Sequence, residues 1–195
     1  MTNLDVLEIE SGIRKCQAQS LNLFKDGILL LDNERYATSY ALFQLASEEI
    51  AKVKILMRAA IEKRSGIEYS DDRDKYFKGL FKNHTEKNKL AVTTDQNYNF
   101  LAAKINLPKF RNENDINNEL KNPKPIDVKK QDGFYVSLKG KKFKSPSESI
   151  TPLDCEKLKD IVSFRITLIT DNMNYYFDYP NFMVNNFINS EKQRS

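Results

Sequence analysis

The chain is poor in the residues from which most catalytic centres are built. Its 195 residues include one histidine, His84, two cysteines and no tryptophan. One imidazole cannot make a zinc site of two or three histidines, and there is no HExxH. A ferritin-like di-iron centre needs a Glu-x-x-His unit from each of two helices and is excluded as well. Cys16 and Cys155 stand far apart and outside any CxxC, so neither a disulfide framework nor a thiolate site is indicated, and a reducing compartment fits. No cofactor and no metal are therefore expected. The phosphate loops GxGxxG and GxxxxGK[ST] are also missing; Gly140-Lys141-Lys142-Phe143-Lys144-Ser145 comes nearest but lacks the first glycine and the spacing. No apolar run reaches the ~18 residues of a membrane span. Met1-Thr2-Asn3-Leu4-Asp5 has none of the parts of a secretion leader, which predicts a cytoplasmic protein with no membrane partner.

What remains suits a helical protein. Apolar residues make up 40% of the chain and charged residues 30%, with 31 Lys and Arg nearly balanced by 27 Asp and Glu. With 12 Phe and 9 Tyr to fill a core, and only 6 Gly and 6 Pro, the composition predicts one compact domain, and the spacing of apolar residues makes it a single helical domain over residues 1–195. From Leu4 to Leu31 apolar side chains recur at helical spacing, which predicts a long first helix. Asp32 or Asn33 is placed to cap a second helix reaching about Arg64, with Glu34 in its first turn. Tyr40, Phe43, Leu45, Ile50, Val53 and Leu56 leave that second helix apolar nearly all round, the pattern of a central helix enclosed by others.

Ser65-Gly66 ends the second helix, and Ser70-Asp71-Asp72 caps a third whose inward face carries Phe77, Leu80, Phe81, His84 and Ala91. Thr94-Asp95 is placed to cap a fourth, shorter helix that Pro108 stops. Between Pro108 and Lys144 the chain is rich in Asn, Lys and Pro, with ten basic and five acidic residues. Residues 108–150 read as a basic loop and hairpin insertion, with the β-hairpin near 133–144 around Lys139-Gly140. A long helix follows from Pro152 to about Phe177, and Pro180 separates it from a last amphipathic segment.

Three constellations carry chemistry. Glu48 and Glu49 lie in the middle of the apolar second helix, and Glu48 and Lys52 are four apart on one face. A carboxylate there needs a partner, whether as an ordinary Glu-Lys helix pair or as part of a polar site. On the third helix His84 and Lys87 share a face. If helices two and three pack antiparallel, Glu48 or Glu49 can orient the imidazole while Lys52 and Lys87 face a phosphate, an arrangement able to cleave RNA without metal. The bland alternative is a hydrogen-bonded structural histidine. The third constellation interleaves aromatic and basic residues around the hairpin, with Lys130, Tyr135, Lys139, Lys141 and Lys142 as candidate RNA contacts and a solvated loop as the alternative.

The run from Asn33 through Tyr36, Tyr40, Phe43, Glu48 and Glu49 to Lys52, then His84-Thr85-Glu86-Lys87, then Gly133-Phe134-Tyr135-Val136 with Gly140 and Pro146, resembles the AbiV family of abortive infection proteins, bacterial phage-defence proteins allied to the HEPN superfamily. The resemblance spans about Leu21 to Ile169. It implies an all-α, HEPN-like helical bundle with a small hairpin that works as a homodimer and shuts down the infected cell, through RNA or the translation machinery. The family's polar positions fall on Glu48, Glu49, Lys52, His84 and Lys87. Many ribonucleases of the wider superfamily carry an arginine a few positions ahead of the histidine, whereas Phe77, Lys78 and Gly79 hold those places here. Two readings follow: a metal-independent endoribonuclease centred on His84, or a non-catalytic module that blocks translation by binding RNA, a ribosome or a phage protein. Either must be held inactive until infection, which implies a phage-encoded activator or a restraining partner.

Overall fold

The computed structural model describes residues 4–68 and 70–193. Met1 to Asn3, on which the leader reading partly rests, lie outside the described residues. Helix α1 runs from Val6 to Asp32 and starts at Asp5, whose carboxylate accepts the Glu8 amide at 2.7 Å. Helix α2 covers Tyr36–Arg64. The joint between them differs from expectation. Asn33 closes α1, Glu34 takes a left-handed φ of 59° and Arg35 precedes α2 with no side-chain cap. So short a reversal needs one residue in that region, and this places Glu34 outside the first turn of α2. The two helices then run antiparallel: Ser39 Oγ donates to Gly27 O at 2.7 Å, Ser20 Oγ to Ala46 O at 2.8 Å, and Arg64 reaches back to Glu10.

As its composition predicts, α2 is the central helix. Phe43, Ala46, Ile50, Val53 and Ala60 are completely buried, and α1 and the long helix α8 (Pro152–Asp178) supply most of the surrounding core through Ile9, Ile13, Val162, Ile169 and Tyr176. Thr151 and Asp154 form a reciprocal capping box at the start of α8. Helix α9 (Pro180–Lys192) follows beyond Pro180. Among the described residues no helix is long and apolar enough to cross a membrane.

The third helix is split. Helix α3 (Asp71–Lys82) ends before Asn83, and α4 (His84–Lys104) begins there. Asn83 adopts an extended conformation (ψ 114°) and its side chain accepts the Glu86 amide at 3.3 Å, so an N-cap interrupts what apolar spacing reads as one helix. His84 is consequently the first residue of α4 and not part of the inward face of α3. Thr94 and Asp95 lie inside α4 and begin no new helix: the Thr94 hydroxyl bonds back to Leu90 O, and Asp95 points into the core.

Residues 108–150 hold more regular structure than a loop. Helix α5 (Glu113–Lys121) is capped by Asn112, and α6 (Lys124–Asp132) begins after Pro123. The hairpin is shorter than expected, with β1 (Ser137–Lys139) and β2 (Lys142–Lys144) paired antiparallel, Leu138 opposite Phe143, around Gly140 at φ 65°. The strand starts late because Phe134 and Tyr135 still donate to Gln131 O and close α6. One turn, α7 (Pro146–Ser149), leads to α8. The described residues thus form an all-α bundle of nine helices with one small hairpin.

Helix α6 reaches α2 through Gly133, where a Cβ would lie 2.6 Å from Ala37 O and 3.0 Å from Ala41 Cβ. A backbone oxygen on a packed helix cannot step aside. Gly133→Ala is therefore expected to lower stability by about 1–3 kcal/mol, read as a lower urea midpoint; an unchanged midpoint would show that α6 is free to shift.

Candidate functional site

Glu48 sits midway along α2, 1% exposed, where an unpaired carboxylate would be strongly disfavoured. Three other side chains converge on it. Lys130 Nζ, from α6, donates to Glu48 Oε1 at 2.7 Å. Lys87 Nζ, from the first turn of α4, lies 3.1 Å from Oε2. His84 Nδ1 is hydrogen-bonded to that same oxygen. Lys130 Nζ is also 2.7 Å from Asp127 Oδ1, one turn earlier on α6. Two carboxylates are thus matched by two ammonium groups, and both lysines are buried.

Burial pushes the Glu48 carboxyl up, but hydrogen bonds from Lys130 and His84 and the charges of Lys130 and Lys87 outweigh it, holding the group below the usual carboxylate range. Burial likewise pushes the Lys130 ammonium down, and Asp127 and Glu48 more than reverse it. Glu48 therefore stays ionised near neutrality, so the Nδ1 bonded to it carries the proton. The His84 side chain is 54% exposed, and in the neutral ring its other nitrogen, Nε2, is an open proton acceptor.

Glu48, His84 and Asp127 place donor atoms within 4.8 Å of one another, a spacing that would suit a cation. Lys130 Nζ already lies between the two carboxylates. The position is filled by the chain's own ammonium.

The other residues named from sequence go elsewhere. Lys52 pairs with Glu49 at 2.5 Å, three residues away, instead of with Glu48, and its Nζ lies 4.9 Å from the Phe81 ring centroid. Glu49 and Lys52 both act on Cys16 of α1, the side of α2 facing α1 and α3. Lys130, read as an RNA contact, is buried on Glu48, and Lys139 is tied to Asp132. Tyr135, Lys141 and Lys142 are exposed on or beside the hairpin.

Sequence reasoning missed a second polar assembly. Arg165 of α8 donates to both oxygens of Asp95, at 3.0 and 2.7 Å, and to Ser47 Oγ at 2.9 Å. Arg111 also donates to Asp95 and holds Glu119 of α5 with two bonds. The assembly clamps α2 at Ser47, the neighbour of Glu48, to α4, α5 and α8. A signal was available: Arg165 stands among Val162, Ile166 and Ile169, and Asp95 follows Ala91 and Val92, each a charge on an apolar face.

A model of the HEPN_AbiV family, described as AbiV, matches residues 8–165. No curated protein and no solved structure matches the chain.

Replacing Glu48 with Gln leaves Lys87 without its carboxylate and Lys130 with Asp127 alone. We expect a loss of about 3–5 kcal/mol at pH 7 in denaturant unfolding. Because the folded carboxyl lies below its unfolded value of about 4.3, its stabilisation is complete above that pH and is lost as pH falls through the folded value. The gap between wild type and variant should therefore close on acidification. Equal stability at pH 7 would refute the assigned role of Glu48.

Proposed function

Because the chain belongs to the HEPN_AbiV family, we propose that it is a bacterial antiphage defence protein that arrests protein synthesis in the infected cell by cutting RNA at His84. The observation that carries this reading is the buried, ionised Glu48 holding Nδ1 of a half-exposed imidazole. A carboxylate that fixes the tautomer and orientation of a histidine is the arrangement of a general base. Nε2 takes the proton of a ribose 2′-hydroxyl, the 2′-oxygen attacks the adjacent phosphorus, and the bond to the 5′-oxygen breaks. That oxygen leaves with a proton, and a 2′,3′-cyclic phosphate remains.

Lys87 and Lys130 are buried against carboxylates, so in this reading they orient Glu48 and His84 and do not touch the phosphate. Phosphate charge falls to the N-terminal end of α4, where the dipole of a 21-residue helix favours an anion beside His84. No metal takes part in this mechanism, since Lys130 supplies the cation between Glu48 and Asp127. A homodimer would bring a second His84 to the same RNA as the acid for the leaving oxygen, and a phage-encoded protein would release the activity.

A second reading rests on the hairpin, where Tyr135, Leu138 and Phe143 are exposed beside Lys141 and Lys142. Aromatic faces among lysines suit single-stranded RNA or a ribosomal surface, and the protein would then block translation without catalysis. In that case the Glu48 cluster only braces the bundle.

His84→Gln separates the two readings, because its amide can still donate to Glu48 but cannot shuttle a proton. Catalysis predicts a folded variant with an unchanged melting temperature, RNA cleavage lower by about 10²–10⁴-fold and lost phage protection. If wild type halts synthesis with RNA intact, and Lys141→Glu with Lys142→Glu abolishes protection while His84→Gln does not, the nuclease reading fails.

A further inference from the structure

Helices α2, α4, α8 and α9 line a cavity of about 580 Å³, open to solvent on one side and away from His84. Its walls are mainly hydrocarbon, from Met57, Ile61, Leu101, Leu168, Ile169 and Phe187. Met57 and Ile169 form a buried floor, and exposed Leu101 lies towards solvent. The volume falls within the range of about 300–1,000 Å³ usual for small-ligand sites, which pair apolar walls with a few placed polar groups.

The polar group that distinguishes this cavity is Lys54. Its Nζ donates to Thr94 Oγ1 at 2.8 Å and to Leu90 O at 3.4 Å, both neutral acceptors on α4. An ammonium carries three N–H donors, so one is left over. Among the described residues no carboxylate forms an ion pair with Lys54, in contrast to Lys87 and Lys130. Burial pushes this ammonium down to about 8, with Asp95 raising it and Arg165 lowering it. Of the other charged groups at the cavity, Arg58 is committed to Glu62 at 2.9 Å, and Glu191 stands at the exposed α9 side. Lys54 is thus an ammonium held by neutral acceptors only, beside a mainly apolar wall.

We propose that this cavity binds a small amphipathic carboxylate, its head group on Lys54 Nζ and its hydrocarbon body along Ile61, Leu168 and Phe187. With Arg58 paired to Glu62, a single ammonium beside mainly hydrocarbon walls is too little for the phosphates and base of a nucleotide, but it matches one anionic group on an apolar body. Lys54, Met57, Ile61 and Leu101 lie within the stretch matched by the family, and Leu168, Ile169 and Phe187 lie beyond it. The cavity touches α2 and α4, which also carry Glu48 and His84, yet the binding claim does not depend on their being catalytic.

The probes are dodecanoate and its uncharged counterpart dodecanol, titrated into the full chain by calorimetry below the micellar concentration. Saturable binding of dodecanoate at one site, about tenfold or more tighter than dodecanol, is expected. Lys54→Met removes the charge while keeping the apolar stem and should abolish that difference without lowering the melting temperature. Leu168→Trp should fill the chamber and weaken both probes. NOE contacts between the dodecanoate methyl and the Phe187 ring test the location in wild type, independently of any variant. No saturable binding, equal dodecanoate affinity in Lys54→Met, or ligand contacts elsewhere would each overturn the proposal.

Discussion

A carboxylate at the centre of the most buried helix is the constraint to which the rest of this structure answers. Glu48 occupies a position that hydrocarbon would fill at less cost, because removing its charge from water costs several kcal/mol before any partner is found. Its partners come from two other helices, α4 and α6, so neutralising Glu48 also fixes where those helices dock. Asn83 breaks the chain immediately before His84, and Gly133 lets α6 close on α2. Local features that look unrelated along the chain thus serve one electrostatic requirement.

The Asp95–Arg165 assembly solves the same problem in a different way. It satisfies the buried Asp95 carboxylate with two guanidinium groups, one of which also donates to the Ser47 hydroxyl, and both Asp95 and Arg165 are sealed from solvent. The Glu48 cluster keeps one member, His84, open to solvent. That exposed edge separates a brace from a site able to meet a substrate, and it is why the functional reading rests on His84 while Arg165 is read as structural support.

Much of the architecture was legible in the chain. The near-continuous apolar surface of α2 marks it as the central helix, and Thr151 and Pro152 mark the start of α8. The failures have physical causes. Apolar spacing runs through Asn83 because α3 and α4 each keep an inward face, so only the cap conformation reveals the break. Helices α5 and α6 span nine residues each, too short for intrinsic propensity to announce them, and they depend on contacts such as that of buried Ile116.

For the candidate site, the sequence by itself determined the ingredients: a single histidine, an acid pair in an apolar helix and a lysine one turn after the histidine. Helical spacing could not choose between Glu48 and Glu49, because one residue turns the side chain by about 100° and both angles look apolar from the sequence. Tertiary structure made that choice, giving Glu48 to His84, Lys87 and Lys130 and leaving Glu49 to Lys52. It also moved Lys130 from the expected RNA surface into the core. The reason is range: helix periodicity reports on neighbours three or four residues apart, whereas Lys130 lies 82 residues from Glu48 and meets it only when α6 packs on α2.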